Sequence, residues 1–466
     1  MDLFLHIMKS ELVVTLLIFL LLFIKIGKGM GNDRLLSLIQ VLLLLNLLVG
    51  FFFNKEGVLF DGMFRNTHLF SLEKNILNAG VYLISLVFSD WFRKSAHLAE
   101  FFLLLLSALL GMFLMISAGN LLIFYLSLEL ATIPVAAMAS FDLHRKIASE
   151  SAMKMILSSA FSSGILLFGI SLLYGSTGTI RFDELPAQLD GSPLQILAFI
   201  FFFAAFAFKL SVVPFHLWTA DVYEGAPVAT TSFLSVISKG AVAFVFITVL
   251  FRPFAPLFDT WYNLLMILSI ATMVTGNLFA LRQQNMKRFL AFSSIAQVGF
   301  ILVAISGNNM AAITSVVFFV LIYIFSNLAA FGVISVIEEA TGKIKMDDYK
   351  GLYTTNPLLT WVMALALFSL AGIPPTAGFF GKFFLISAGA SRGSFAFILV
   401  VALNMIISLY YYLKVVRAMF MDKNDTPIAP VRIHRAPKFG LLLCGAGILL
   451  TGLLSWIYDY IQSLIR

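Results

Sequence analysis

Fourteen apolar runs follow one another along this 466-residue chain, with only short connections between them. Each is close to the length of about 20 residues that crosses about 30 Å of hydrocarbon. They lie near residues 11–26, 34–53, 76–92, 98–118, 120–139, 150–174, 194–224, 227–251, 261–281, 286–305, 310–338, 357–391, 394–420 and 436–461. Backbone at membrane depth must satisfy its own hydrogen bonds, so runs of this length read as helices. The expected fold is an all-α polytopic membrane protein with about 14 transmembrane helices. A composition of 60% hydrophobic and 12% charged residues excludes a soluble domain of this size. The third run is the weakest, because Glu73, Lys74 and Asn78 crowd its start. The first is too long for a signal peptide, has no small-residue cleavage site after it, and reads as a retained helix.

Several chemistries find no support. Cys444 is the one cysteine, which excludes a disulfide framework, a thiolate iron–sulfur site and a cysteine zinc site. His6, His68, His97, His144, His216 and His434 are scattered, without the paired spacing of a haem or metal site. No glycine-rich nucleotide loop is present. The net charge of +7 does not imply nucleic acid, because the basic residues flank apolar runs. Their distribution gives an orientation instead. Odd-numbered connections, such as those carrying Lys25, Lys28 and Arg34 or Arg282, Lys287 and Arg288, hold roughly 18 basic residues against 6 in the even ones, Arg392 included. The odd connections are therefore expected on the cytoplasmic side, with both termini on the outer side.

Charge inside the apolar runs is the main functional signal. A lysine at a helix centre costs about 2.5–3.5 kcal/mol on insertion scales, and an intramembrane ionisable group is a functional candidate. Lys209 ends the run from Leu194 to Phe208, and Pro214 interrupts the helix five residues later. His216, Asp221 and Glu224 follow. Pro214 deprives the Leu210 carbonyl of its helical partner, and Pro374 and Pro375 do the same to Leu370 and Ala371, just before Lys382. Freed carbonyls at this depth belong in a hydrated cavity or inside protein. A plain proline kink is the alternative, but it leaves the adjacent lysines unexplained. Glu129 lies mid-span near Pro134, with Lys209 as its natural partner; Lys239 lies mid-span beside Ser235 and Ser238. Lys154 follows Glu150 by four residues and reads equally as an interfacial pair. Lys414, after three tyrosines, is expected to snorkel to the interface. An ammonium taken out of water holds its proton less firmly, and a nearby carboxylate restores that hold. Alternating Lys and Glu across the midplane would thus form a proton relay, with His216 able to bridge between lysines.

Two short matches suggest an internal repeat. Ser158–Gly164 resembles Ser293–Gly299, and Phe208–Pro214 resembles Phe368–Pro374. A period of five helices would invert the second copy in the membrane, and interrupted helices in two inverted copies point to a transport site. The expected division is 1–97 for helices 1–3, 98–251 for a first repeat, 252–420 for a second, and 421–466 for the last helix.

The block Lys209–Trp218 with Asp221-Val222-Tyr223-Glu224-Gly225-Ala226-Pro227, the block Lys287–Ala296, and the block Leu370–Phe383 resemble the antiporter-like subunits of respiratory complex I. The resemblance runs from about 98 to 420, and the Asp-Val-Tyr-x-Gly-Ala-Pro wording is that of the subunit N family of bacterial NADH–quinone oxidoreductases. The chain's end after the fourteenth run leaves no room for the long lateral helix of the largest such subunit. The resemblance implies a proton-translocating role for Glu129, Lys209, Lys239 and Lys382, with Lys154 and His216 on the input path or relay. It also implies that this chain holds no cofactor. NADH, FMN, iron–sulfur clusters and quinone would belong to partner subunits, and the partners would be other antiporter-like and small membrane subunits in a bacterial inner membrane. Gln297 departs from the pattern, since many relatives carry a titratable histidine there. A subunit of a multisubunit sodium/proton antiporter or a membrane-bound hydrogenase shares this pattern and is the alternative.

Overall fold

A computed structural model describes residues 2–27, 30–52, 54–142, 145–391 and 395–465. Lys28, Arg392 and His144, named above, and Phe53 at the end of the second expected run lie outside the described residues.

Among the described residues, eleven helices are long and apolar enough to cross a membrane. Three further segments bring the number of spans to fourteen. Lys9–Ile26 and His68–Val87 carry charged residues within them, and Pro357–Ala371 with Ala377–Ala390 forms one interrupted span. The chain is a multi-pass all-α membrane protein with one small exception. Gly57–Leu59 and Phe64–Asn66 pair as an antiparallel hairpin whose turn places Phe60, Asp61 and Gly62 at positive φ. The third span differs from its expected bounds of 76–92. It starts at His68, capped by the Thr67 side chain, and ends at Val87, so Glu73, Lys74 and Asn78 lie buried inside it. Low hydropathy at its start reflects polar residues buried within the protein rather than exposure.

The eighth, tenth and eleventh spans form the centre; nearly all of Val228–Phe251 and Met286–Ser306 and most of Met310–Thr341 is buried. Peripheral helices such as Asn32–Phe51 and Phe395–Met421 show Leu and Phe to the outside, as a lipid-facing surface requires. Where spans approach closely the residues are small: a Cβ added at Gly111 of the fourth span would lie 2.4 Å from the backbone nitrogen of Ala131 in the fifth.

The same architecture occurs twice. Asn120, at the start of the fifth span, bridges to Arg181, and Asn285, at the start of the tenth, bridges to Lys345. Leu121 N donates to Ile180 O at 3.0 Å, and Met286 N to Ile344 O at 2.9 Å. The sixth and eleventh spans, Lys146–Thr177 and Met310–Thr341, each run 32 residues and end on a glycine at φ 71°, Gly178 and Gly342. The seventh and twelfth each begin on a proline and break after a residue at positive φ, Ser211 and Gly372. The register therefore pairs spans five apart. The Ser158–Gly164 and Ser293–Gly299 strings, on the sixth and tenth spans, fall outside it. The bridge at Asn120 joins even-numbered connections and the bridge at Asn285 joins odd ones, so equivalent features sit at opposite ends of the molecule.

Candidate functional site

Both interrupted spans place polar atoms in the interior, by different means. In the seventh, Pro193–Leu210 gives way to Leu217–Gly225. The carbonyl that gains a side-chain donor there is that of Phe208, which accepts from the Trp218 indole at 3.1 Å, rather than that of Leu210 as the proline rule alone suggests. In the twelfth, both freed carbonyls are used. Gln297 Nε2 donates to Leu370 O at 3.3 Å, and Lys382 Nζ donates to Ala371 O at 3.3 Å.

Glu129 and Lys209 are not joined as an ion pair. Ser163 donates to the Glu129 carboxylate in a short contact, while Lys209 Nζ donates to Ser159 and Thr132, each at 2.7 Å. Ser159 and Ser163 are one turn apart on the sixth span, and Glu129 and Thr132 nearly so on the fifth. The fifth, sixth and seventh spans thus set the carboxylate and the ammonium on hydroxyls one turn apart.

Lys239 is 5% exposed and donates to Ser294 Oγ at 2.9 Å, with its ammonium 5.4 Å from the Tyr223 ring centre. It follows directly on a π-helical segment, Phe233–Ser238. Such widened turns are rare and often mark functional positions; the sequence carries no readable signal for this one. A cavity of about 10 Å³ beside Lys239 is lined by Leu210, Ser294, Gln297 and Tyr323 among others, at the lower limit for a single water. Tyr223 OH, Ser235 Oγ, Tyr323 OH, Asn327 Oδ1 and Gln297 Oε1 are buried nearby without a protein hydrogen-bond partner, and polar atoms so placed call for bridging water.

Gln297 extends the row. It lies three residues after Ser294 on the tenth span and contacts Tyr412 OH at 3.2 Å as well as Leu370 O. Lys382, 1% exposed, adds a long contact of 3.5 Å to Ser408 and stands 5.0 Å from the Phe300 ring centre. From Lys239 to Lys382 the polar groups therefore succeed one another as Ser294, Gln297, and the carbonyls of Leu370 and Ala371.

Two expected members sit apart. His216 is buried at the first break, its Nδ1 has no hydrogen-bond partner, and no contact joins it to a lysine of the row. Lys154 is half-exposed and pairs with both Glu150 and Asp221 at 2.7 Å. Asp221 also takes Arg288 at 2.8 Å, and Arg288 reaches Glu224 at 2.7 Å. The Asp-Val-Tyr-Glu block and the Lys-Arg block of the tenth span are thus two halves of one ionic network at the end of the bundle. Lys287, counted above as a connection charge, is buried against Glu338 at 3.3 Å. Lys414 is exposed, as a snorkelling residue should be.

Another buried group escaped sequence reasoning. Lys74 Nζ lies 2.6 Å from Glu11 Oε1, with side chains 1% and 3% exposed, and donates to Asn66 Oδ1 at 3.1 Å. Adjacent Glu73 is 1% exposed, with neither carboxylate oxygen hydrogen-bonded. The adjacent Glu-Lys followed by two asparagines was the available signal. Among the described residues no group of three or more His, Cys, Asp or Glu is placed to hold a metal.

Residues 118–408 match the family described as NADH:quinone oxidoreductase/Mrp antiporter, TM. The chain is 49% identical over 413 residues to NADH-quinone oxidoreductase subunit N of Phocaeicola vulgatus, covering 88% of each. It is 28% identical to a chain of respiratory complex I from Thermus thermophilus with bound aureothin, at a TM-score of 0.83 and with 96% and 97% of the two chains covered. A chain of the Mrp complex from Dietzia shares the fold, with a TM-score of 0.87 at 20% identity over 99% and 97% of the two chains. With its interrupted seventh and twelfth helices and its lysine row, this chain belongs to the NADH:quinone oxidoreductase/Mrp antiporter membrane family, among the subunit N relatives.

Proposed function

We propose that this chain translocates protons as a non-redox membrane subunit of an NADH:quinone oxidoreductase. The observation that carries the reading is the row itself. Lys239 and Lys382 are buried in the bundle, Glu129 and Lys209 are half-buried within their spans, and each rests on a hydroxyl or on a carbonyl freed by a helix break. A scaffold needs no such charges, since each costs free energy to bury.

In this reading a proton moves along Glu129, Ser163, Ser159 and Lys209, then through Lys239, Ser294 and Gln297 to Lys382. Gln297 does not titrate, so transfer there uses water held by its amide and its neighbours. Lys154 with Asp221 forms the input side, and His216 acts as an accessory group at the first break. The row falls across two proposed inverted repeats, 98–251 and 252–420, flanked by helices 1–3 and by the last helix. Redox chemistry belongs to partner subunits, which carry NADH, FMN, iron–sulfur clusters and quinone. The partners are other complex I membrane subunits in a bacterial inner membrane, with both termini on the outer side.

The test is purification of the tagged chain from its native membrane in gentle detergent. Co-purifying NADH:quinone activity and iron–sulfur signals support the reading, and Lys209→Ala should then assemble yet lose pumping. A chain that emerges with small membrane subunits only, and exchanges sodium for protons without NADH, would instead establish the antiporter alternative.

A further inference from the structure

The third span packs on the eighth at the residues either side of Lys239. A Cβ added at Gly80 would lie 2.2 Å from Ile237, within the π-helical segment before Lys239. Leu77 stands against Gly240, the residue after Lys239, at 3.7 Å from such an added Cβ. Glu73 precedes Leu77 by one helical turn, on the same face, about 6 Å toward the end formed by the even-numbered connections. One more turn in that direction is Phe70, whose ring carries the exposed Arg252 guanidinium at 5.9 Å. Glu73 therefore lies between Lys239 and the surface of that end.

Its surroundings differ from those of a structural carboxylate. Lys74 is committed to Glu11 and Asn66. The adjacent Lys74 charge, and less strongly Arg252 from beyond the eighth span, act on Glu73, but neither forms an ion pair with it. Arg65 and Asp183, paired at 2.5 Å, stand next to Arg252, and Lys9 stands near Lys74. A buried carboxyl without a fixed cation can gain and lose a proton as nearby charge changes.

We propose that Glu73 is a further proton-holding residue of this chain, connecting Lys239 to the end formed by the even-numbered connections. This rests on the reading of Lys239 as part of a relay. In the step, the Lys239 ammonium gives up one proton and becomes the neutral amine, and the Glu73 carboxylate becomes the carboxylic acid. The proton then leaves to water beside Arg252, which restores the carboxylate. The Glu11–Lys74 pair stays fixed and holds the third helix in place.

The experiment uses the intact complex in membrane vesicles, with Glu73→Gln, Glu73→Asp and Lys209→Ala compared. Expected is normal assembly of Glu73→Gln with proton output per electron reduced and coupled turnover about tenfold slower or more, and recovery in Glu73→Asp with a shifted pH profile. If Lys209→Ala loses pumping while Glu73→Gln pumps normally, the inference is overturned and the relay stands. If Lys209→Ala pumps normally, the relay reading itself fails. Should Glu73→Gln not assemble, Glu73→Asp decides. A pH profile identical to that of the unaltered complex overturns the proposal, since a purely structural carboxylate would leave that profile in place.

Discussion

Lys382 donates to the carbonyl of Ala371 across the break in its own helix, at 3.3 Å. The lysine thereby takes the place of the backbone N–H that Pro375 lacks. Removing it does two things at once. Lys382→Ala should leave a buried carbonyl unsatisfied, costing about 1–3 kcal/mol of stability, and should abolish pumping in assembled complex. Lys382→Arg should recover the stability, measured by thermal inactivation, without recovering pumping, because a guanidinium does not release its proton.

Ser294 is the side-chain acceptor of Lys239. Ser294→Ala should assemble normally and slow coupled NADH oxidation several-fold, while Ser294→Thr, which keeps a hydroxyl, should restore it. Equal rates in all three would remove Ser294 from the path.

Gln297 donates both to Leu370 O and to Tyr412 OH. Gln297→Leu should lose those contacts and lower both stability and pumping. Gln297→His should pump, with a new pH dependence. A protonated imidazole among Lys239, Lys382 and their neighbours repels them, so activity should fall as pH drops through about 6.5 and be fully present above it. A flat profile across that range would argue against Gln297 lying on the route.

The Glu11–Lys74 pair offers a stability test independent of transport. Lys74→Ala strands Glu11 in the interior and should cost about 3–5 kcal/mol, seen as loss of assembled complex. The double substitution Glu11→Gln with Lys74→Met should be much milder. Equal losses in both would show that packing, not charge, is what Lys74 contributes.

Gly378 sits where a Cβ would lie 1.7 Å from the Ser369 carbonyl oxygen. Gly378→Ala should force the two halves of the twelfth span apart and displace Lys382, reducing pumping more than assembly in native gels. Gly175, whose Cβ would meet nothing within 4 Å, serves as the tolerant control.

Much of this was legible in the chain because hydrocarbon leaves few options. Runs of apolar residues set the spans, and the prolines at 214, 374 and 375 located both breaks. Lys209, Lys239 and Lys382 stood out because a charge within an apolar run has few bland explanations. The hidden parts have a common cause. Glu11 and Lys74 meet across 63 positions of sequence, and each taken alone looks like a flanking charge. The same misreading moved the expected start of the third span past Glu73. The π-helical turn before Lys239, where the Ile237 side chain packs against Gly80, is announced by no local pattern of residues. The pairing of spans in the repeat emerged from the Asn120 and Asn285 bridges, which join residues about 60 apart.

Ser159 and Ser163 separate the Glu129 carboxylate from the Lys209 ammonium. A hydroxyl swivels about a single bond and can give or receive with equal ease, so in the proposed relay this stretch has no preferred sense of travel. It behaves as a coupling without a ratchet. Whatever makes traffic one-way must therefore be applied from outside this pair. In the proposed relay, reversing the charge imposed there would reverse the direction of transfer at this pair.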